Sequence, residues 1–152
     1  MAGCREGLPG AAPAPLRDRR FFFVHSTPKD PERWEYILSL EDAEQAFSDF
    51  SGRICFVGHS HVPVLFLQEE GRGCRASHIS RMELEPGFRY LVNVGSVGQP
   101  RDGDPRGSYV LFDPDEGRLE LKRVGYDVAR TQEKMVAAGL PYFLAARLAA
   151  GR

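Results

Sequence analysis

Apolar residues recur along this chain in short blocks with two different periods. Residues 21–24 (Phe-Phe-Phe-Val) and 54–57 (Ile-Cys-Phe-Val) are unbroken apolar runs, the pattern of short buried strands. Between them, Leu40, Ala43, Phe47 and Phe50 share one helical face, which predicts a helix. Ser39 stands where its hydroxyl caps the first turn, Asp42 completes a capping box, and Gly52 ends the pattern. The three pieces predict a strand–helix–strand unit whose two strands lie parallel and adjacent. Beyond Pro63 strands dominate. Residues 64–68 and 79–84 read as a hairpin around the loop 69–73, and residues 89–94 as a further strand. Residues 108–112 and 118–124 read as a second hairpin, with Leu119 and Leu121 alternating with Glu120 and Lys122 to give one buried and one wet face. Asp127 caps a predicted helix with Val128, Met135 and Val136 inward and Gly139 as its stop. Pro141 opens a last helix carrying Phe143, Leu144 and Leu148, and both helices are expected to cover the core.

The totals narrow the picture. Residues 1–20 are rich in Gly, Ala and Pro and read as a linker or extended lead-in, leaving 21–152 as the folded part. A chain of 152 residues suits one domain or part of a larger one, and 42% hydrophobic residues are enough for a core. The net charge is −1 and the basic residues cluster only at 17–20, so stable nucleic-acid binding is not expected. No run approaches the roughly 18 apolar residues of a membrane helix, and no apolar N-terminal segment suggests a signal peptide. Cys4, Cys55 and Cys74 lack a C-x-x-C spacing, which indicates neither a disulfide framework nor a zinc ribbon. Cys55 reads as a small core residue, and a reducing cytoplasm is the expected compartment.

Candidate chemistry gathers where the apolar runs stop. His59 and His61 follow Gly58 at the end of the second run. In a near-extended backbone, residues two apart point the same way with Cα atoms roughly 6–7 Å apart. Two such imidazoles reach one ion, or one ion each of a pair about 3.5–4 Å apart. Gly58 is expected to turn the chain there. Alone, the pair reads equally as two solvated loop histidines. His25 ends the first run and brings a third imidazole to the same sheet edge, where ligands bind in open α/β sheets. Residues 34–38 (Trp-Glu-Tyr-Ile-Leu) either line that cleft or pack on the sheet. The glycine-rich stretch from Asn93 to Pro105 is a long surface turn or a loop held by a ligand. Arg101 in it presents a planar fork suited to phosphate oxygens. Asp102 and Asp104 read as hard-metal ligands or as turn residues.

Three segments in order resemble a known family: Val24-His25-Ser26-Thr27-Pro28, Gly58-His59-Ser60-His61, and Asn93-Val94-Gly95-Ser96 with Gln99-Pro100-Arg101. They are similar to the C-terminal half of a calcineurin-like metallophosphoesterase of the small bacterial phosphodiesterase and diadenosine-tetraphosphatase-like type. The resemblance runs from about Leu8 to the last residue. It implies an α/β fold, part of a four-layer α-β-β-α sandwich with a mixed sheet and C-terminal helices, of which residues 21–152 form the C-terminal half. It implies phosphodiester or phosphomonoester hydrolysis by a hydroxide activated at two divalent ions, Mn, Fe, Zn or Ni. His25 and His59 would bind one ion and His61 the other, with Asn93, Ser96 and Arg101 at the substrate, a phosphate-ester small molecule or nucleotide. The family's D-x-H, G-D-x-x-D and G-N-H-[DE] motifs do not occur in these 152 residues, so no catalytic acid is assigned. Two divalent ions carry four positive charges, and three neutral imidazoles offset none of them. The chain is therefore expected to be half of an enzyme, completed by an N-terminal half or by self-association. The alternative is a non-catalytic metal-binding or interaction module derived from the same fold. A metallohydrolase of the H-x-H-x-D-H type is disfavoured, because Val62 and Pro63 follow His61.

Overall fold

The two apolar runs become neighbouring parallel strands, joined by the predicted helix. The computed structural model describes residues 16–17 and 21–152. The predicted lead-in at 1–20 therefore lies outside the described residues except for β1, Leu16–Arg17. Strand β2 (Phe21–Phe23) and strand β3 (Ile54–Val57) pair parallel with Phe21 opposite Ile54 and Phe23 opposite Phe56. The helix between them, α1 (Leu40–Ser48), starts on the expected capping box: the Ser39 hydroxyl accepts from the Asp42 N–H, and the Asp42 carboxylate accepts from the Ser39 and Leu38 N–H groups. Strands β4 (Val64–Glu69), β5 (Cys74–Ser77) and β7 (Phe88–Asn93) complete a six-stranded mixed sheet in the order β1-β2-β3-β7-β4-β5. A second, antiparallel sheet has the order β6-β9-β8, from β6 (Arg81–Glu83), β8 (Gly107–Asp113) and β9 (Arg118–Val124).

Strand alternation divides the core into two layers. On one face of the large sheet, Phe22, Cys55, Leu91 and Phe66 pack against Ala43, Ala46 and Phe47 of α1. On the other, Ile54, Phe56, Leu65, Tyr90 and Val92 pack against Leu119, with Val110 and Phe112 partly buried beside them. Helix, sheet and sheet thus stack in that order, and burial pushes the Cys55 thiol up out of the reactive range.

Two expectations need correction. The partner of β4 is β5, and residues 81–83 cross to the second sheet, where Met82 pairs with Leu119. Met82 and Leu84 alternate with Arg81 and Glu83, but a period of two does not name the strand it will pair with. The terminal helices, α2 (Val128–Ala137) and α3 (Tyr142–Ala146), start at Asp127 and Pro141 as expected, but they do not cover the core. No residue of α2 is buried, and Val136 and Phe143 are exposed; Ala145 of α3 is buried, as are Leu148 and Gly151 beyond it. The unit docks instead on the loop after β7, with the Gly103 N–H donating to the Gly151 carbonyl at 3.0 Å.

Candidate metal centre

Parallel pairing carries the histidines to one edge. Past the strand ends, the Val24 N–H donates to the Phe56 carbonyl and the Gly58 N–H to the His25 carbonyl, both at 3.0 Å. His25 and His59 consequently lie side by side, with ring centroids 5.2 Å apart. The chain between His59 and His61 is not extended as expected. Both histidines adopt the left-handed region, with φ 65° and 62°, while Gly58 has no positive φ, so the turn is taken by the histidines themselves. A β-carbon on Gly58 would meet only ordinary contacts, the nearest at 3.7 Å. Asp30 and Trp34 also have positive φ, and these four are all the non-glycine cases among the described residues. Three of the four, Trp34, His59 and His61, belong to the histidine cluster, and strain gathered in this way is the pattern of functional sites.

The left-handed turn separates the partners of the two rings. His59 stacks on Tyr36 at 4.1 Å and 23°, with Trp34 on its flank at 5.5 Å. The aromatic segment 34–38 is therefore part of the site, although Ile37 packs into the core. Nε2 of His59 lies 2.9 Å from the Trp34 carbonyl, and Nδ1 of His61 lies 2.7 Å from the Gln99 carbonyl. A carbonyl only accepts, so each of these nitrogens carries a proton. The nitrogens left to coordinate an ion are therefore opposite ones, Nδ1 on His59 and Nε2 on His61. Metal-binding histidines are commonly oriented by such a bond to a backbone carbonyl. Burial, and then the His59 charge, holds His25 below the ordinary imidazole value. His61 is also held low, by burial first and then by Arg101 and the other two histidines, against the opposing bond to Gln99. Low values favour the neutral, ligating form.

The residues expected at the substrate occupy different positions. Asn93 is 2% exposed, and its side chain is spent inside the fold: Nδ2 donates to the Gly58 carbonyl and the Ser60 hydroxyl, and Oδ1 accepts from the Gly95 N–H. It is a tie between the histidine turn and the glycine loop. Ser96 caps its own turn by accepting from Gly98 and Gln99, and it lines the cleft. Arg101 bonds Gln99 Oε1 at 3.1 Å, while its Nε is buried with no hydrogen-bond partner among the described residues. Asp102 and Asp104 are spent on Arg123 and Arg106, and the Arg106 guanidinium holds the Asp104 carboxyl down at about 2. Ion pairing, not metal ligation, accounts for both.

The three histidines and Ser96 line one part of a cleft of about 840 Å³, whose walls are largely apolar, with Phe21, Phe23, Phe56 and Phe112 among them. Among the described residues, no group of three or more His, Cys, Asp or Glu side chains is placed to hold an ion. The donor nitrogens suit Mn, Fe, Zn or Ni, but no carboxylate accompanies them. A two-ion centre does not fit this residue set alone.

A sequence profile of the calcineurin-like phosphoesterase superfamily domain matches residues 1–117. The chain belongs to that superfamily. This phosphoesterase-family chain is 37% identical over 147 residues to the uncharacterised protein MJ0912 of Methanocaldococcus jannaschii, covering 97% of this chain and 58% of that protein. A crystal structure of a metallophosphoesterase from Sphaerobacter thermophilus superposes with a TM-score of 0.80 at 41% identity, covering 92% of this chain and 58% of that one. The hypothetical protein PH1004 of Pyrococcus horikoshii OT3 shares the fold, with a TM-score of 0.61 at 17% identity. The chain thus spans 58% of the length of the first two of these relatives and 46% of the third. The α/β fold, with its mixed sheet and C-terminal helices, is the fold of that metallophosphoesterase.

Sequence reasoning did not reach the carbonyls of Trp34 and Gln99 or the Ser108 hydroxyl that bonds the Ser96 N–H. A backbone carbonyl has no residue identity to betray it. Ser108 shows only as one small residue at the start of a strand.

Proposed function

We propose that this chain carries the histidine side of a metal-dependent phosphoesterase, hydrolysing a phosphate-ester small molecule or nucleotide. One observation carries the reading: three imidazoles from two chain segments share one cleft, and bonds to backbone carbonyls engage Nε2 of His59 and Nδ1 of His61, so that the other ring nitrogens, Nδ1 of His59 and Nε2 of His61, are the ones left for an ion. When bound, a pair of Mn, Fe, Zn or Ni ions would supply Lewis acidity and an activated water. His25 and His59 are assigned to one ion and His61 to the other. Arg101, with its unspent buried Nε, is assigned to phosphate charge, and Ser96 to the wall beside it. The missing anionic ligands are assigned to polypeptide outside these 152 residues, in keeping with the 58% share of the relatives' length. The free thiols Cys55 and Cys74 suit the expected reducing cytoplasm, and no described helix is long and apolar enough to cross a membrane.

A second reading, a metal-binding or interaction module without catalysis, takes its support from the cleft lining, which among the described residues holds the three histidines and no carboxylate. Manganese-dependent hydrolysis of a bis-aryl phosphate separates the two. The 152-residue chain alone is expected to be inactive. Joined to the unmatched part of the Sphaerobacter thermophilus protein it is expected to turn over, and His59→Ala to lower kcat by at least about a hundredfold. Unchanged turnover in His59→Ala refutes the ligand assignment; titratable metal binding with no hydrolysis in the joined protein favours the second reading.

A further inference from the structure

Gln99 is half-buried, and each of its four polar groups is engaged. Its carbonyl accepts from Nδ1 of His61 at 2.7 Å, and its N–H donates to the Ser96 hydroxyl at 2.9 Å. In the side chain, Oε1 accepts from Arg101 Nη2 at 3.1 Å, and Nε2 donates to the Arg152 carbonyl at 3.4 Å. The next residue, Pro100, is fully buried, and a proline confines the residue before it to extended backbone. Arg101 also returns to the histidine turn, its N–H donating to the His61 carbonyl at 3.2 Å. The far end of the tie is itself held. The Arg152 carbonyl accepts from Arg147 Nε at 2.8 Å, and the Arg152 N–H donates to the Arg147 carbonyl at 3.2 Å. One residue earlier, the Gly151 carbonyl accepts from the Gly103 N–H. The C-terminal segment thus fastens the 99–103 loop at two points, and the loop fastens the His61 ring.

A free neutral histidine prefers its proton on Nε2, so a ring that carries it on Nδ1 does so because an acceptor holds it there. We propose that Gln99 is a positioning residue: its side-chain amide, anchored on Arg101 and on the C-terminal segment at Arg152, aims the backbone carbonyl that keeps the His61 proton on Nδ1 and leaves Nε2 free. The same amide directs Arg101, whose Nε is buried with no hydrogen-bond partner among the described residues. One side chain thereby sets an imidazole and a guanidinium together. The docking of α2 and α3 on this loop, instead of on the core, then has a purpose: it anchors the group that orients His61. What this is worth to an ion or a phosphate rests on the phosphoesterase reading, whereas the positioning itself does not.

Nitrogen NMR of the histidine-labelled chain, without metal and at about pH 8, separates the two neutral forms of each ring. His61 is expected as the Nδ1–H form, and Nε2–H in the unaltered chain overturns the proposal. Gln99→Met keeps the length of the side chain and removes both of its hydrogen bonds. It is expected to lower the Nδ1–H to Nε2–H ratio of His61 at least about tenfold. His59, held by the Trp34 carbonyl, is expected to keep its form in the same sample, which a general loosening of the site would not allow. Gln99→Glu retains an acceptor for Arg101 and is expected to recover part of the lost ratio. Gly151→Ala, acting from the far end of the tie, is expected to shift His61 in the same direction as Gln99→Met. It carries the test alone should Gln99→Met not fold, and an unchanged ratio there is equally fatal. An unmoved His61 in Gln99→Met overturns the proposal, as does an equal change in His59 or a Gln99→Glu no better than Gln99→Met. Because no readout involves turnover, a shifted His61 in a chain whose joined form never hydrolyses sinks the phosphoesterase reading and leaves the positioning role standing.

Discussion

A β-carbon on residue 95 would overlap the Ser108 hydroxyl oxygen and lie 3.0 Å from Pro63 Cγ, on a backbone at φ +76°. Gly95→Ala is therefore expected to cost about 2–4 kcal/mol by chemical denaturation, through both overlap and an unsuitable φ. A change below about 0.5 kcal/mol would show that the loop has room to shift. By contrast, Gly58 stands at the head of the most conspicuous motif and has an ordinary φ and room for a β-carbon at ordinary contact distance. The histidines set a pH dependence of their own. In the folded, metal-free chain His25 and His61 are held below the ordinary value of 6.5, so the unfolded chain takes up protons first. The stability they confer is present above pH 6.5 and is lost as the pH falls through their depressed folded values. Urea midpoints are expected to drop between about pH 7.5 and pH 5, and the double change His25→Gln with His61→Gln to flatten that slope; midpoints that do not move with pH would contradict the burial of these rings. At this scale the residue types of the site were legible, since three histidines end or follow apolar runs. Ring orientation was not, because it depends on the carbonyls of Trp34 and Gln99, contributed from elsewhere in the chain.

The helix start at Ser39 is an element decided locally. Its hydroxyl and the Asp42 carboxylate satisfy N–H groups within four residues of one another, so the signal sits in one short window. Ser39→Ala is expected to cost about 1 kcal/mol, read as a lower denaturation midpoint; no loss would mean that packing of Phe47 and Ala43 alone holds the helix. The helix end is a different matter. Arg89, from the distant strand β7, donates to the carbonyls of Phe47 and Phe50 and lies over the Phe50 ring at 4.6 Å. Nothing near Gly52 announces an arginine 37 residues away. The partner of β6 is hidden for a similar reason: Met82 and Leu84 alternate with Arg81 and Glu83 whichever sheet receives them, and only the three-residue pairing with β9 decides.

Across the whole molecule, the C-terminal helices are carried by the loop that also serves the site. Gly151 has φ +62°, and a β-carbon there would come within 2.7 Å of the Asp104 backbone, which Gly103 reinforces through its bond to the Gly151 carbonyl. Gly151→Ala is expected to speed amide exchange in α2 and α3 by at least about tenfold while leaving β3 and β7 unchanged. Equal acceleration in the sheet would mean that the helices belong to the core after all. Their amphipathic spacing was read as core cover because periodicity reports that a face is apolar, and not which surface receives it.

Taken by itself, the order of apolar runs, caps and histidines determined the parallel strand–helix–strand unit and the edge at which the imidazoles gather. Those features arise from neighbours in the chain: a run long enough to be buried, a hydroxyl within one turn, a side chain just past a strand end. Tertiary structure alone decided the left-handed turn at His59 and His61, the protonated nitrogen on each ring, the sheet that received residues 81–83 and the tie from Gln99 to Arg152. Each of these depends on which residues far apart in sequence do or do not become neighbours, and such partners are chosen by which groups remain unsatisfied once the chain has collapsed.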